Sequence, residues 1–238
     1  MSKRLMDVAF SLALLILAGP VILAAMLAVF AHDRRSPIYW APRVGRGGRD
    51  FRMAKLRTMT VDADRRGGSS TKRSDGRITA PGRALRRLKI DELPQLWNVL
   101  VGQMSLVGPR PNVRRGGVDR YTTEELGLLA GRPGLTDLAS IVFFDEEDIL
   151  ESAPDPDACY DRLIRPWKSR LGLLYLSRRS LGVDLRIIAL TGLAIVSKRA
   201  ALQGVDRILA GWNAAEDLRS VCRREGPLPW IEPPGLPA

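Results

Sequence analysis

Residues 8–31 read V-A-F-S-L-A-L-L-I-L-A-G-P-V-I-L-A-A-M-L-A-V-F-A, an uncharged apolar run. As a straight helix it extends about 36 Å, enough to cross a bilayer. Gly19 and Pro20 lie at its midpoint, where proline interrupts the i to i−4 ladder and invites a bend. Lys3 and Arg4 precede the run, and Arg34, Arg35, Arg43 and Arg46 follow it. Positive charge marks the cytoplasmic side, so basic flanks at both ends favour a re-entrant helical hairpin. A kinked spanning helix remains the alternative, since membrane helices tolerate proline. A cleaved signal peptide fits less well, because the run is too long and no small-x-small cleavage site precedes the basic residues.

Beyond the run the chain is strongly basic. Lys and Arg number 37 against 26 Asp and Glu, a formal charge of +11 in 238 residues. Such a surplus calls for an anionic partner: nucleic acid, anionic headgroups or phosphorylated substrates. Cys159 and Cys222 form no C-x-x-C pair, which argues against a zinc site or a disulfide framework. His32 is the only histidine, so acid–base chemistry falls to carboxylates, Lys or Tyr.

After the apolar run, Ile38-Tyr39-Trp40 and Phe51 to Met59 form the arms of a β-hairpin, joined by a turn at Gly45, Gly47 and Gly48. Lys55 and Arg57 share one side of the second arm and can clamp a diphosphate. A solvated basic strand is the plainer alternative. Asp62 to Gly82 is polar and glycine-rich and reads as a mobile loop.

Lys89 to Pro111, K-I-D-E-L-P-Q-L-W-N-V-L-V-G-Q-M-S-L-V-G-P-R-P, carries the chemistry. Asp91 reads as a helix N-cap, with Leu93, Leu96, Trp97 and Leu100 as an apolar face and Gly102 as the stop. The electropositive start of such a helix, with Arg83, Arg86, Arg87 and Lys89 upstream, keeps a carboxylate ionised and favours phosphate. Simple capping by Asp91 and Glu92 is the plainer reading of D-E before an apolar helix. Pro109 and Pro111 place Arg110 rigidly, as a phosphate contact requires.

Further on, Arg120 to Leu129 reads as a helix capped by Thr122 or Thr123, and R-P-G-L-T at 132–136 as a second rigid turn. The acidic run Asp145 to Glu151 is read as a solvated helix start ahead of a metal site. Helices are expected over Pro166 to Leu176 and Leu185 to Leu209, the latter interfacial or core-packed, followed by an extended proline-rich tail from Gly226.

Together these stretches resemble the bacterial sugar transferase family, the monotopic polyprenyl-phosphate phosphoglycosyl transferases, from Lys3 to about Thr191. The motif D-E-L-P-Q-L-W-N-V-L-V-G-Q-M-S-L-V-G-P-R-P is the most specific part. K-R-L-M-D, R-V-G-R-G-G-R-D-F, K-L-R-T-M, R-P-G-L-T and Y-L-S-R-R-S-L-G-V-D-L support it in order. The resemblance implies a mixed α/β, predominantly helical fold of the family's minimal form. Its expected parts are a membrane hairpin over 1–34, a catalytic domain over 35–200 and a C-terminal extension over 201–238.

It also implies attack by Asp91 on the β-phosphate of a UDP-sugar, release of UMP, and transfer of the sugar phosphate from aspartate to undecaprenyl phosphate. Glu92 is expected to hold Mg²⁺ together with Asp91. Lys55, Arg57, Arg86 and Arg110 are the implied phosphate clamps, with Arg132 and Thr136 on the nucleotide side. The setting implied is the cytoplasmic face of a bacterial inner membrane, with lipids as partners, no nucleic acid, and a homodimer left open. The chain departs from many members after R-P-G-L-T, where it continues Asp137-Leu138-Ala139-Ser140-Ile141, which leaves the sugar open. A membrane-tethered protein binding nucleic acid or anionic lipid would explain the charge but leave the acid pair idle.

Overall fold

The structure, a computed structural model, describes residues 2–68 and 70–236. It begins with one helix, α1 (Lys3–Asp33), started by the Ser2 hydroxyl and closed at Arg34 in the left-handed region. The segment has one helix where two arms were expected. Pro20 removes a single hydrogen bond, and its fixed φ suits a helix, so the ladder resumes on either side. Burial along α1 is confined to its ends: Met6, Asp7 and Ser11 at one, Ala25 and Val29 at the other. Between them Ile16 and Leu17 are 73% and 78% exposed.

Strands β1 (Ile38–Val44) and β2 (Asp50–Leu56) pair antiparallel around the glycine turn, with Tyr39 opposite Lys55 and Arg43 opposite Phe51. The strand ends at Leu56, so Arg57 lies just past the paired region. The polar segment after it is tied down by Arg77, which contacts Asp75 at 2.7 Å and the carbonyls of Ala63 and Gly68 at 3.1 and 3.2 Å. Helix α2 (Ala80–Arg87) follows, capped by Thr79.

The expected Asp91-capped helix is replaced by two elements. A single 3-10 turn covers Ile90–Glu92, entered through Lys89 in the left-handed region, and α3 (Gln95–Leu100) starts only after Pro94. Asp91 therefore caps nothing. The buried face of α3 is Gln95, Leu96, Asn98 and Val99, and Trp97 stands outside at 53% exposure. Gly102, at φ +84, ends the segment as expected.

Strands β3 (Ser105–Val107) and β4 (Gly134–Thr136) run parallel, Ser105 beside Gly134 and Val107 beside Thr136. Their turns, G-P-R-P and R-P-G-L-T, cross so closely that a Cβ on Gly134 would lie 2.2 Å from Gly108 backbone. Only glycine fits there.

The remainder is helical: α4 (Leu138–Val142), α5 (Glu146–Ile149), α6 (Pro156–Cys159), a π-turn, α7 (Arg165–Arg178), α8 (Leu181–Val196), α9 (Lys198–Gly211) and α10 (Glu216–Arg223). The continuous helix expected over 185–209 breaks at Ser197, whose hydroxyl caps α9. The chain then folds back, with Gly204 against Leu190. One core contains Met53, Leu96, Leu138, Trp167, Leu171 and Tyr175 together with Leu209, Leu218 and Cys222, so side chains from 201–238 share it with the segment before them. The proline-rich tail lies along this core, the Trp167 indole donating to the Pro229 carbonyl at 3.0 Å.

Two ties bind α1 to this body. Near its start Lys3 contacts Asp184 at 2.5 Å, Arg4 donates to the Val99 and Leu100 carbonyls at 2.6 Å each, and buried Asp7 accepts from Ser105 and from the Leu106 N–H. At its other end Asp33 receives a bidentate pair from Arg57 at 2.6 and 2.7 Å.

Candidate active site

The acid pair opens onto a cavity of about 820 Å³. Asn98 sets the relation of the pair to the hairpin: its side chain accepts from the Ala54 N–H at 2.8 Å and donates to the Arg52 carbonyl at 2.8 Å. That brings Lys55 to the pair, its ammonium 3.3 Å from Glu92. Arg110, delivered by the crossed turns, donates one nitrogen to Glu92 Oε2 at 3.1 Å and the other to Oε1. Glu92 is thus held on both oxygens.

Asp91 is left in a different state. It is 5% exposed, and its Oδ1 is buried without a hydrogen-bond partner. Burial pushes its pKa above the ordinary aspartate range, opposed by Lys55 and assisted by Glu92. The sequence had suggested an aspartate kept ionised by a helix end. Burial acts on Glu92 in the same direction, but Arg110 and Lys55 outweigh it and hold Glu92 well below the ordinary range. Two adjacent carboxylates therefore have opposite tendencies. Burial lowers the Lys55 ammonium, and Glu92 raises the Arg110 guanidinium.

The other expected residues divide. Arg86 lines the cavity and pairs with Glu147, its Nε at 2.9 Å. Arg57 also lines it, but its guanidinium is occupied by Asp33 and, at 2.7 Å, by the Ser36 carbonyl. Thr136 lines another part and shares a 2.7 Å hydrogen bond with Thr191. Arg132 is not brought to the cavity; its Nε donates to the Gly102 carbonyl at 3.0 Å.

Cations not singled out as site residues also line it: Arg43, Arg77, Lys89, Arg115 and Lys168. Arg43 had a readable signal, since period-two alternation puts it on the strand face of Tyr39, beside Lys55. Lys168 had none, because only tertiary packing brings α7 to the site. Four acids of the run are engaged by cations, Asp145 by Lys198, Glu146 by Lys168, Glu147 by Arg86 and Asp148 by Arg73, while Glu151 accepts from the Ser74 N–H at 3.1 Å. Among the described residues no group of three or more Asp, Glu, His or Cys is arranged to hold a metal. The pair, in which neither oxygen of Asp91 is engaged by a salt bridge among the described residues and Oδ1 is buried without a partner, still suits Mg²⁺, which binds through one or two carboxylates and takes its remaining oxygens from water and phosphate.

Apolar side chains complete the cavity: Leu14 from α1, Leu106 and Leu135 from the short sheet, and Ile188, Ala194 and Ile195 from α8. The pocket is thus rich in cations, built around two carboxylates, and its apolar wall reaches a long exposed apolar helix. The chain belongs to the bacterial sugar transferase family, whose model matches residues 1–198. It is 42% identical over 142 residues to a UDP-glucose:undecaprenyl-phosphate glucose-1-phosphate transferase of Caulobacter vibrioides, covering 58% of this chain and 53% of the relative. A Klebsiella pneumoniae protein of the same name is 37% identical over 194 residues, 79% of this chain and 39% of the relative. A UDP-N-acetylgalactosamine-undecaprenyl-phosphate N-acetylgalactosaminephosphotransferase of Aeromonas hydrophila is 36% identical over 143 residues, 59% and 34%. The chain thus spans between about a third and about half the length of these three relatives.

Proposed function

We propose that this chain transfers a sugar-1-phosphate from a UDP-sugar to undecaprenyl phosphate in two displacements at Asp91. The observation that carries the reading is the unpartnered, buried Asp91 oxygen beside a Glu92 fully held by Arg110 and Lys55. In the first step Asp91 Oδ1 bonds to the β-phosphorus as the bond from that phosphorus to the bridging oxygen breaks, and UMP leaves with the electron pair. In the second an oxygen of undecaprenyl phosphate attacks the same phosphorus and returns Asp91 as a free carboxylate. The product is a diphosphate-linked sugar, the first lipid-linked intermediate of a surface glycan.

The chain's own groups serve this chemistry by position and charge. Phosphoryl transfer depends chiefly on alignment and neutralisation of oxygen charge. Lys55, Arg86 and Arg110 converge where a diphosphate would lie, and an incoming phosphate can take the Arg110 hydrogen bonds now given to Glu92. Mg²⁺ held by Asp91 and Glu92 would supply further neutralisation of the diphosphate. The apolar wall from Leu14 to Ile195 suits a polyprenyl chain. Both ends of α1 are tied to one body, which supports a monotopic placement, and the basic residues flanking both ends favour the cytoplasmic face.

Asn matches Asp in size but is a poor nucleophile. Asp91→Asn is expected to fold and to bind UDP-sugar while losing UMP release and the sugar-labelled covalent adduct. UMP release at the wild-type rate would refute the assignment.

A further inference from the structure

The segment after residue 198 lies beyond the family match, yet one of its side chains reaches the wall of the active site. Arg224 closes α10 with a left-handed backbone, φ 55, a conformation that costs energy for any residue but glycine. Its guanidinium lies 3.4 Å from Asp145 Oδ2 and 5.9 Å from the centre of the Phe143 ring. Phe143 is 3% exposed and faces the cavity; Lys168, bound to Glu146, lies 5.9 Å from the same ring.

The neighbouring ring extends the contact to the acid pair. The Lys89 ammonium sits 4.9 Å from the centre of the Phe144 ring, and Lys89 is the left-handed residue from which the Ile90–Glu92 turn departs. Just beyond, Glu147 holds Arg86. Five consecutive residues, Phe143 to Glu147, thus touch the C-terminal segment on one side and Lys89, Lys168 and Arg86 on the other.

We propose that Arg224 is a positioning residue for the acid-pair turn, acting through Phe143 and Asp145 on the strut that ends at Phe144 and Lys89. It touches no reacting atom. Its part is to hold the strut so that Lys89 keeps the turn, and with it the Asp91 carboxylate, in one geometry. This rests on the reading of Asp91 as nucleophile.

The test compares Arg224→Gln with Arg224→Lys in the full chain in detergent. Both substitutions keep the same backbone demand, so their difference isolates the cation. Loss of a charged hydrogen bond that orients the nucleophile is expected to lower kcat for UMP release about tenfold in Arg224→Gln. KM for the UDP-sugar should stay within about twofold, and Arg224→Lys should recover most of the rate. Amide exchange should quicken over 143–147 and 89–92 in Arg224→Gln and stay unchanged in β1 and β2. An unchanged kcat, or a loss that disappears on cooling well below the melting temperature, would overturn the proposal. So would unchanged exchange in both segments. If the wild type releases no UMP from any UDP-sugar, the functional reading fails, and the exchange comparison still decides whether Arg224 holds the turn.

Discussion

Arg110 donates to both oxygens of Glu92, leaving neighbouring Asp91 with an unpartnered oxygen. One carboxylate thus absorbs the local positive charge, and the other is kept nearly dry with its Oδ1 unpartnered. Arg110→Ala should reduce UMP release at least about 100-fold, as for loss of a preorganised transition-state donor. Arg110→Lys, which keeps charge but loses the two-pronged geometry, should fall between. Initial rates at saturating and limiting UDP-sugar check both.

Burial raises the Asp91 pKa, so protonated Asp91 suits the folded state better than ionised Asp91. The sign follows: this site favours folding most below the ordinary aspartate value of 3.8, and the benefit is lost as pH rises through the elevated folded value. Asp91→Asn should therefore melt higher than wild type at pH 7, with the gap closing toward pH 4. A thermal melt at the two pH values measures it, and an equal gap at both would contradict the burial argument.

The Arg57–Asp33 pair predicts a coupling between the β-hairpin and α1. Arg57→Gln and Asp33→Asn should each lower the melting temperature, and the double variant should lose little more than either single one. A purely additive result would mean that the two side chains act separately, returning Arg57 to the role of phosphate clamp.

Leu209 of α9 is buried in the core that also holds Trp167 and Leu138. Leu209→Ala should cost about 2–5 kcal/mol. It should also lower the unfolding midpoint of the whole domain in a single transition, followed by denaturant titration with tryptophan emission.

Proline in mid-helix predicts a topological effect. A cysteine in place of Ser2 should react with an impermeant maleimide only from the cytoplasmic side in native cells. Pro20→Ala, with a straighter and stiffer α1, should move part of the population to outside labelling.

Much of the site was readable because its residues are concentrated in one stretch. Asp91, Glu92 and Arg110 belong to a single motif, and strand alternation points Lys55 toward them. The role of Asp91 as a cap was misread because Pro94 and the left-handed Lys89 both act locally to delay the helix by a turn. Trp97 was misassigned for the same reason, since shifting the start of α3 rotates its faces. Ties such as Arg57 to Asp33 or Arg132 to the Gly102 carbonyl leave no periodic trace in sequence, because any exposed arginine would be compatible with the pattern. The break at Ser197 was hidden inside an otherwise helical rhythm, where a serine followed by a lysine gives only a weak signal.

Lys3 meets Asp184, 181 positions further along the chain, beside the Asp7 contacts to Ser105 and Leu106. During synthesis the apolar helix leaves the ribosome long before its sockets exist. Residues 8–31 therefore emerge before the polar groups at positions 3, 4 and 7 can meet the chain that will hold them. The order of synthesis thus separates the apolar helix from its own body, and later docking covers only its two ends, leaving Ile16 and Leu17 between them exposed.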